Sequence, residues 1–253
     1  MTRKRLAQAE LFLYNMKAGC VKSRAALIAP AFAIILLAAA ALWGFVLYFE
    51  RTAVSAPESP PTLVIDAGHG GIDGGAISTD GTKESDINLA VALRLESIVR
   101  FCGQKTLMTR WDDSRKTDIL SYSEHEELKY RAELANGTEN AVLISIHQND
   151  FPTAQPKGAM VLYSAYGDSD RLGNRIQELL VAQLDPQNRR LAAPAPKELY
   201  LTANTRCPAV LVECGFMSNN FEVLKLKESG YQTKLALVIA AAYLQYTAGR
   251  TPA

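Results

Sequence analysis

The chain has 253 residues, of which 48% are hydrophobic, enough for one substantial core together with an accessory segment. The net charge of +1 is unevenly distributed: the first 24 residues hold six basic residues and one acidic residue, leaving 21 basic (27 minus 6) and 25 acidic (26 minus 1) beyond them. The later part therefore carries about −4. This excludes nucleic acid as an expected partner, because binding to phosphates normally requires a concentrated positive face.

An uncharged apolar segment spans residues 25–49. Its 25 residues exceed the roughly 20 that a helix needs to cross a bilayer. Basic residues precede the segment, and aromatic side chains such as Trp43 and Tyr48 lie near its far end, where they favour the membrane interface. These features predict one transmembrane anchor, with residues 1–24 as a basic cytoplasmic segment and the rest of the chain outside. A cleaved signal peptide is the main alternative, although its apolar core usually has only about 7 to 15 residues.

The sequence divides the outer part of the chain into a linker, a domain and a tail. Residues 50–61 contain three prolines and predict a linker. A compact domain is predicted over residues 62–246, and residues 247–253 are predicted to be a frayed tail. Three of the four cysteines lie beyond the anchor, and this odd number indicates no clear disulfide framework. The domain must then be stabilised by its core or by a bound metal.

The domain begins with a strand pattern that runs directly into a glycine-rich loop. Residues 62–66 read TLVID, and residues 67–76 contain five glycines around His69. A nucleotide-binding loop is not favoured, because Asp73 occupies the place of the third glycine in the G-x-G-x-x-G spacing. A histidine at a strand end, with exposed backbone around it, suits a metal ligand whose surroundings admit water and a substrate.

Strand-like and helix-like patterns alternate along the rest of the domain. Asn219 is predicted to be a helix N-cap, with Glu222 three residues later. The predicted strands cover residues 62–66, 105–110, 141–147, 159–164 and 208–213, and the predicted helices cover residues 87–102, 124–135, 170–184 and 233–246. The pattern predicts an α/β fold: a single three-layer domain with a largely parallel or mixed central sheet flanked by helices, preceded by one transmembrane helix.

Side chains capable of chemistry follow three of the predicted strands. In sheets of this kind, sites form beyond the carboxyl ends of the strands. His69 follows the first strand, His147 ends the third, and Glu213 ends the last. Glu84 lies near the start of the first helix. Two neutral imidazoles and one carboxylate are a common three-ligand set for a catalytic zinc ion, with a fourth position open to water.

Each of these residues also has a purely structural interpretation. The two histidines could be hydrogen-bonded residues at strand ends, and Glu84 could complement the helix dipole. Glu213 is harder to explain, because a carboxylate that ends an apolar run needs a partner. An ion pair with Arg110 or Arg131 is the structural alternative. The third histidine, His125, belongs to an acidic helix that is expected to face solvent.

Four motifs occur in order between residues 64 and 219, within a resemblance that runs from residue 63 to about residue 246: VIDAGHGGIDGGA, KESDINLAVALRL, LISIHQND and PAVLVECGFMSN. Together they resemble the zinc-dependent N-acetylmuramoyl-L-alanine amidases, which cut peptidoglycan. The resemblance implies a single α/β domain that binds one zinc ion through His69, Glu84 and His147. It also implies that Glu213 is the catalytic carboxylate.

The resemblance further implies a reaction. The scissile amide bond joins the lactyl group of N-acetylmuramic acid to L-alanine of the stem peptide. Zinc-bound water is the implied nucleophile, with Glu213 as general base and then general acid. Asp66 and Asn149 are candidates for orienting the imidazoles, a role that the sequence leaves open. Asn88 is a candidate for the same role or for simple packing.

These expectations place the catalytic domain outside the cell membrane, anchored by the N-terminal helix and facing peptidoglycan. A membrane-anchored amidase without wall-binding repeats resembles the form used in spore-cortex maturation, and the need for an activating protein partner stays open. Two other functions are compatible with the pattern: a zinc exopeptidase acting on wall peptides, and a wall-binding module without catalysis. The intact set of four site residues argues against the second of these.

Overall fold

The computed structural model describes residues 60–114 and 123–249, together with Ala39, Ala40 and Trp43. Apart from those three residues, the predicted anchor and the segment before it lie outside the described residues, as does most of the predicted linker and tail, so their boundaries stay predictions. Among the residues that are described, no helix is both long enough and apolar enough to span a membrane.

Six strands and six helices make up the described part from residue 60 onward. The strands are β1 (Thr62–Ala67), β2 (Lys105–Met108), β3 (Ala141–Asn149), β4 (Met160–Tyr163), β5 (Ala193–Pro194) and β6 (Ala209–Phe216). The helices are α1 (Glu84–Phe101), α2 (Glu124–Asn136), α3 (Ser169–Leu184), α4 (Tyr200–Asn204), α5 (Asn220–Lys227) and α6 (Ser229–Ala248). The strands form one sheet in the order β2-β1-β3-β6-β4-β5, which confirms the predicted α/β fold.

The sheet is mixed, one of the two forms that the sequence allows. β1 pairs in parallel with β2 and β3, and β3 pairs in parallel with β6. β4, in contrast, runs antiparallel to β6. The reversal follows from the connection between β3 and β4, because residues 150–159 contain no helix and a parallel crossover needs about a dozen residues or more.

Alternate residues of each central strand face two separate hydrophobic layers. Leu63 and Ile65 of β1 are buried in a cluster with side chains of α1, α3 and α6. Val64, between them, is buried in a second cluster that includes Ala132 of α2 and Leu201 of α4. Helices therefore cover both faces of the sheet, and this burial explains the nearly continuous apolar sequences of the parallel strands.

The parallel strands bring their carboxyl ends to one edge of the sheet. His147 of β3 lies beside Glu213 of β6 in the pairing register. Both strands continue past the predicted ends, to Asn149 and Phe216, because their pairing resumes after a register shift. Helix α1 begins at Glu84, so this carboxylate belongs to the first turn of the helix that packs beside β1 and β3.

Candidate metal centre and active site

His69 lies in the tight loop that follows β1. Its φ of 61° is a left-handed conformation, which is uncommon for a residue other than glycine. Its Nδ1 lies 2.8 Å from Oδ2 of Asp73, and its Nε2 lies 3.4 Å from Oε2 of Glu84. Burial lowers the pKa of His69, but Glu84 and Asp73 outweigh this effect and raise it to about 9. A carboxylate on Nδ1 fixes the orientation of the ring and leaves Nε2 for a metal.

Glu84 is buried and is held from three parts of the chain. Its Oε1 accepts hydrogen bonds from Nδ2 of Asn88 at 3.1 Å and from the backbone N–H of Gln148 at 3.0 Å. Its Oε2 accepts one from the backbone N–H of Ala76 at 3.0 Å. Burial alone would raise the pKa of Glu84, but the two neighbouring imidazoles hold it well below its usual range. Glu84 is therefore an ionised carboxylate in a fixed position.

His147 completes a group of three potential metal ligands. Its Nδ1 lies 3.0 Å from Oε1 of Glu84, and its ring packs edge-on against His69 with a centroid separation of 4.9 Å. One donor atom from each of His69, Glu84 and His147 lies within 4.8 Å of the others. This spacing suits a single divalent cation, and the donor set is one that catalytic zinc commonly uses.

Two glycines in the loop after β1 make room for these side chains. A Cβ on Gly68 would overlap the imidazole ring of His147. A Cβ on Gly75 would lie 2.7 Å from Oε2 of Glu84 and 2.7 Å from Cδ2 of His69. Glycine is therefore required here because the ligand side chains approach the backbone closely.

Glu213 faces the same group from β6. Its Oε2 is buried and has no hydrogen-bond partner in the part of the chain that the structure describes. Burial raises the pKa of Glu213 to about 7, with Glu84 adding to the shift and both imidazoles opposing it. An unpartnered buried carboxylate oxygen is unfavourable unless something in the cleft satisfies it. The residues present therefore fit a cation with its water at this place.

These four residues open into a cleft of about 320 Å³. The wall opposite the strand ends comes from α2 and from residues 198–202, and it includes Leu128 and Tyr200. The cleft provides space for a substrate beside the candidate metal group. All four predicted site residues thus meet at one place, although they come from distant parts of the sequence.

The predicted supporting residues have different roles from those expected. The carboxylate of Asp66 accepts hydrogen bonds from Thr109, Arg131 and Ser145, so the expectation that it orients an imidazole is wrong. Asn149 borders the cleft, and no hydrogen bond joins its side chain to either imidazole among the described residues. Burial beneath the sheet edge gives Asp66 a structural role instead.

Neither arginine considered as a partner of Glu213 forms an ion pair with it. Arg131 pairs with Asp66 and Glu127 at 2.9 Å and 3.1 Å. Among the described residues, the hydrogen bonds of Arg110 all go to backbone carbonyl oxygens. Glu213 therefore lacks the structural ion pair that was the alternative to a catalytic role.

His125 lies outside the metal group, as the sequence indicates. Its side chain is exposed, and its ring packs edge-on against Tyr200 at a centroid separation of 5.0 Å. This contact joins the start of α2 to α4, the two elements that form the wall of the cleft. His125 therefore has a packing role.

Asp73 is the supporting residue that sequence reasoning missed. The sequence marks it only as the residue that breaks a nucleotide-binding spacing. Its position four residues after His69 in a glycine-rich loop is the available signal, because a tight loop can bring the two side chains together.

Asn88 has a clearer role than the sequence indicates, since its Nδ2 donates to both Glu84 and the carbonyl oxygen of Gly68.

The fold and the site define an α/β protein with a candidate metal centre in an open cleft. Residues 63–245 match the family model described as N-acetylmuramoyl-L-alanine amidase. The chain therefore belongs to the N-acetylmuramoyl-L-alanine amidase family, and it is a peptidoglycan amidase, as its motifs indicate.

Individual relatives agree with this family. The chain is 34% identical over 199 residues to the germination-specific N-acetylmuramoyl-L-alanine amidase of Bacillus subtilis, covering 76% of this chain and 82% of that one. It resembles the CwlD amidase of Clostridioides difficile, whose structure was solved in complex with the GerS lipoprotein, with 35% identity, a TM-score of 0.71, and coverage of 75% and 100%. It also resembles the catalytic domain of CwlV from Bacillus (Paenibacillus) polymyxa var. colistinus, with 28% identity, a TM-score of 0.62, and coverage of 75% and 99%.

Proposed function

We propose that the protein hydrolyses the amide bond between the lactyl group of N-acetylmuramic acid and L-alanine in a zinc-dependent reaction. His69, Glu84 and His147 would hold the ion. The observation that carries this proposal is the convergence of their donor atoms within 4.8 Å, beside the unpartnered carboxylate oxygen of Glu213. Membership of the amidase family supports the choice of substrate.

Glu213 is the residue that would move the proton. Zinc, when bound, acts as a Lewis acid, which polarises a carbonyl group and lowers the pKa of water. Glu213 would accept a proton from the attacking water and donate it to the nitrogen of the leaving L-alanine. In the metal-free site its pKa of about 7 lies close to neutral pH, where one group can serve as both base and acid. Such catalysis contributes roughly 10²- to 10⁴-fold to the rate.

Two other side chains would keep the ligands in place. Asp73 accepts a hydrogen bond from Nδ1 of His69, so that Nε2 would present its lone pair to the ion once its own proton is released. Asn88 donates to Oε1 of Glu84 and holds the carboxylate beside the loop. Both contacts order the donor atoms before substrate arrives, which reduces the entropy lost on reaching the reactive geometry.

We also propose a location for the domain. Residues 25–49 would anchor it as one membrane-spanning helix, with residues 1–24 in the cytoplasm and the catalytic domain outside. The support is the uncharged run of 25 residues behind a basic segment. Fractionation of cells that express the full chain or residues 50–253 tests this, because only the full chain should sediment with membranes.

We propose, from the same kind of support, that the protein acts on spore peptidoglycan and that it has a protein partner. The relative in Bacillus subtilis is a germination-specific amidase, and the relative in Clostridioides difficile was solved in complex with a lipoprotein. Affinity capture of the full chain from sporulating cells, followed by addition of the captured protein to the purified enzyme, tests both ideas. A partner for this chain should raise its amidase rate.

Digestion of purified peptidoglycan by the full chain tests the proposed reaction. We expect intact stem peptides with a free L-alanine amine, identified by mass spectrometry. Chelation should abolish the product, and added Zn²⁺ should restore it. Glu213→Gln should lower the rate by at least about 100-fold while zinc remains bound, because it removes proton transfer and leaves the three ligands intact.

The control for this experiment is Glu178→Gln, the same chemical change at an exposed residue of α3 that pairs with Arg175. It should keep the activity of the unmodified chain. Shortened stem peptides would identify a zinc exopeptidase instead, and binding of peptidoglycan without cleavage would identify a wall-binding module. Either result would contradict the proposed reaction.

A further inference from the structure

Arg110 is a buried cation beneath the candidate metal centre. It follows β2, and only 1% of its surface is exposed. To the residues that the structure describes, its guanidinium donates four hydrogen bonds, all to backbone carbonyl oxygens, namely those of Ala67 at 2.8 Å, Gly68 at 3.1 Å, Ser85 at 2.8 Å and Asp112 at 2.9 Å. Burying a charge is unfavourable unless its donors are satisfied. The backbone segments around Arg110 satisfy it, and the guanidinium in turn holds them together.

Two of these carbonyl groups belong to the neighbours of metal-group residues. The same nitrogen of Arg110, Nη2, donates to Gly68, which precedes His69, and to Ser85, which follows Glu84. One planar guanidinium therefore bonds to both the loop after β1 and the first turn of α1. The loop carries His69 and the helix turn carries Glu84, and Nε2 of His69 lies 3.4 Å from Oε2 of Glu84.

The glycine loop is shaped to fit this arginine. Gly70, immediately after His69, has a φ of 129°. A Cβ at this position would lie 2.9 Å from Nε and 3.0 Å from Cδ of Arg110. The loop therefore rests directly against the arginine side chain at the residue that follows the first ligand.

A second arginine, Arg131, contacts the same loop, but carboxylates balance its charge. Arg131 donates to the carbonyl oxygens of Ala67 and His69. Its charge is also paired with the carboxylates of Asp66 and Glu127, so it belongs to an ion-pair network that joins β1 to α2. Within residues 60–114 and 123–249, Arg110 instead bonds only to backbone, and its contacts connect the two ligand-bearing segments.

We propose that Arg110 is a positioning residue for the metal centre, where its guanidinium fixes the separation between the loop that carries His69 and the helix turn that carries Glu84. This inference rests on the proposed function, because the metal group is part of it. A lysine would keep the positive charge, but its single ammonium cannot reproduce the planar fork that reaches several acceptors at once. Arg110→Lys should therefore alter the spacing of the ligands in a folded protein.

Cobalt(II) binding to the full chain tests the proposal, because the visible absorption of this ion reports the number and geometry of its ligands without catalysis. We expect Arg110→Lys to keep the circular dichroism of the folded protein. It should bind Co²⁺ at least about tenfold more weakly, with a changed visible spectrum. The matched control is Arg94→Lys, because Arg94 donates to Ala90, Ser229 and Thr233, which are remote from the metal group. The control should keep the original affinity and spectrum.

Folded Arg110→Lys protein with unchanged Co²⁺ affinity and spectrum would overturn the proposal. Arg110→Met, which keeps much of the side-chain volume without donors, is measured beside it. Loss of folding in both variants would also overturn the proposal, because Arg110 would then serve the fold as a whole. Failure of the unmodified chain to bind either Co²⁺ or Zn²⁺ would remove the proposed metal centre itself, and this result is distinct from the other two.

Discussion

Single residues in the site differ in how their charges are balanced. Glu84 faces two imidazoles, which hold its pKa well below the usual range despite its burial. Glu84 and Asp73 in turn raise the pKa of His69 to about 9. Glu213 has no ion-pair partner in the described part of the chain, and burial raises its pKa to about 7. These differences suit separate roles, since a cation can displace the proton of His69 while Glu213 remains available for proton transfer.

Metal binding at pH 8 should release about one proton per ion, because a ligating imidazole must be neutral. At this pH Glu84 is already ionised and Glu213 is mostly ionised, whereas His69, with a pKa of about 9, is mostly protonated. Affinity for zinc should consequently rise with pH up to about 9 and fall as the pH decreases below it. Titration calorimetry at pH 8, in buffers that differ in ionisation enthalpy, measures the protons released.

Asp73→Asn provides the comparison for this titration. It removes one of the two carboxylates that raise the pKa of His69, so fewer protons should be released at pH 8. Heats of binding that do not depend on the buffer would show that His69 is already neutral in the metal-free protein, contrary to this prediction.

The secondary-structure elements end where backbone donors and acceptors find partners, and those partners are not always local. The N-cap of α1, Lys83, makes no capping hydrogen bond with its side chain. The backbone N–H groups of Glu84 and Ser85 donate instead to the carbonyl oxygens of Ala76 and Gly74. The glycine loop therefore starts this helix and places Glu84 in its first turn. No sequence pattern reveals such a cap. The apolar periodicity therefore predicts the helix only from residue 87, whereas the segment KESDIN correctly places Glu84 near the start of the helix.

Helix α5 has a local cap, which the sequence predicts correctly. The side-chain oxygen of Asn219 accepts from the backbone N–H groups of Phe221 and Glu222, and its Nδ2 donates to the carbonyl oxygen of Pro156. Asn219→Ala should lower the free energy of unfolding by about 1 kcal/mol. Asn219→Asp keeps the cap and loses only the hydrogen bond to Pro156, so it should lower the free energy of unfolding by less. Urea unfolding measures both, and equal stability of all three proteins would contradict the assigned cap.

The whole molecule depends on a sheet that joins distant segments through buried charge. Asp66, at the end of β1, bonds to Ser145 of β3 and to Arg131 of α2. Its burial alone would raise its pKa, but Arg131 and the other partners outweigh this and leave the pKa lowered. The contacts of Asp66 with Ser145 and Arg131 therefore hold β1, β3 and α2 together directly beneath the cleft.

Asp66→Asn should lower the free energy of unfolding at pH 7 by about 3 kcal/mol, because it leaves part of the charge of Arg131 buried without its partner. The sign of the pH effect follows from linkage. The folded pKa of Asp66 is lowered, so its contribution is complete above its unfolded value of about 3.9 and is lost as the pH falls through the folded value. The variant should therefore lose less stability than the unmodified chain below about pH 4.

Urea unfolding between pH 7 and pH 3 measures both effects. Asp150→Asn is the control, since Asp150 is exposed and its replacement should change stability by no more than about 0.5 kcal/mol. Equal slopes below pH 4 for Asp66→Asn and the unmodified chain would show that Asp66 does not carry the proposed linkage.

Sequence patterns were enough to predict the α/β fold, the amidase family and the four candidate site residues, His69, Glu84, His147 and Glu213, because strand periodicity and ordered motifs are local properties. They could not determine which carboxylate orients which imidazole, which backbone contacts start α1, or that β4 runs antiparallel. Those features depend on contacts between segments far apart in the chain. Tertiary structure alone assigned Asp73 to His69 and placed Arg110 beneath the loop, since a hydrogen bond between distant segments leaves no periodic signal in either one.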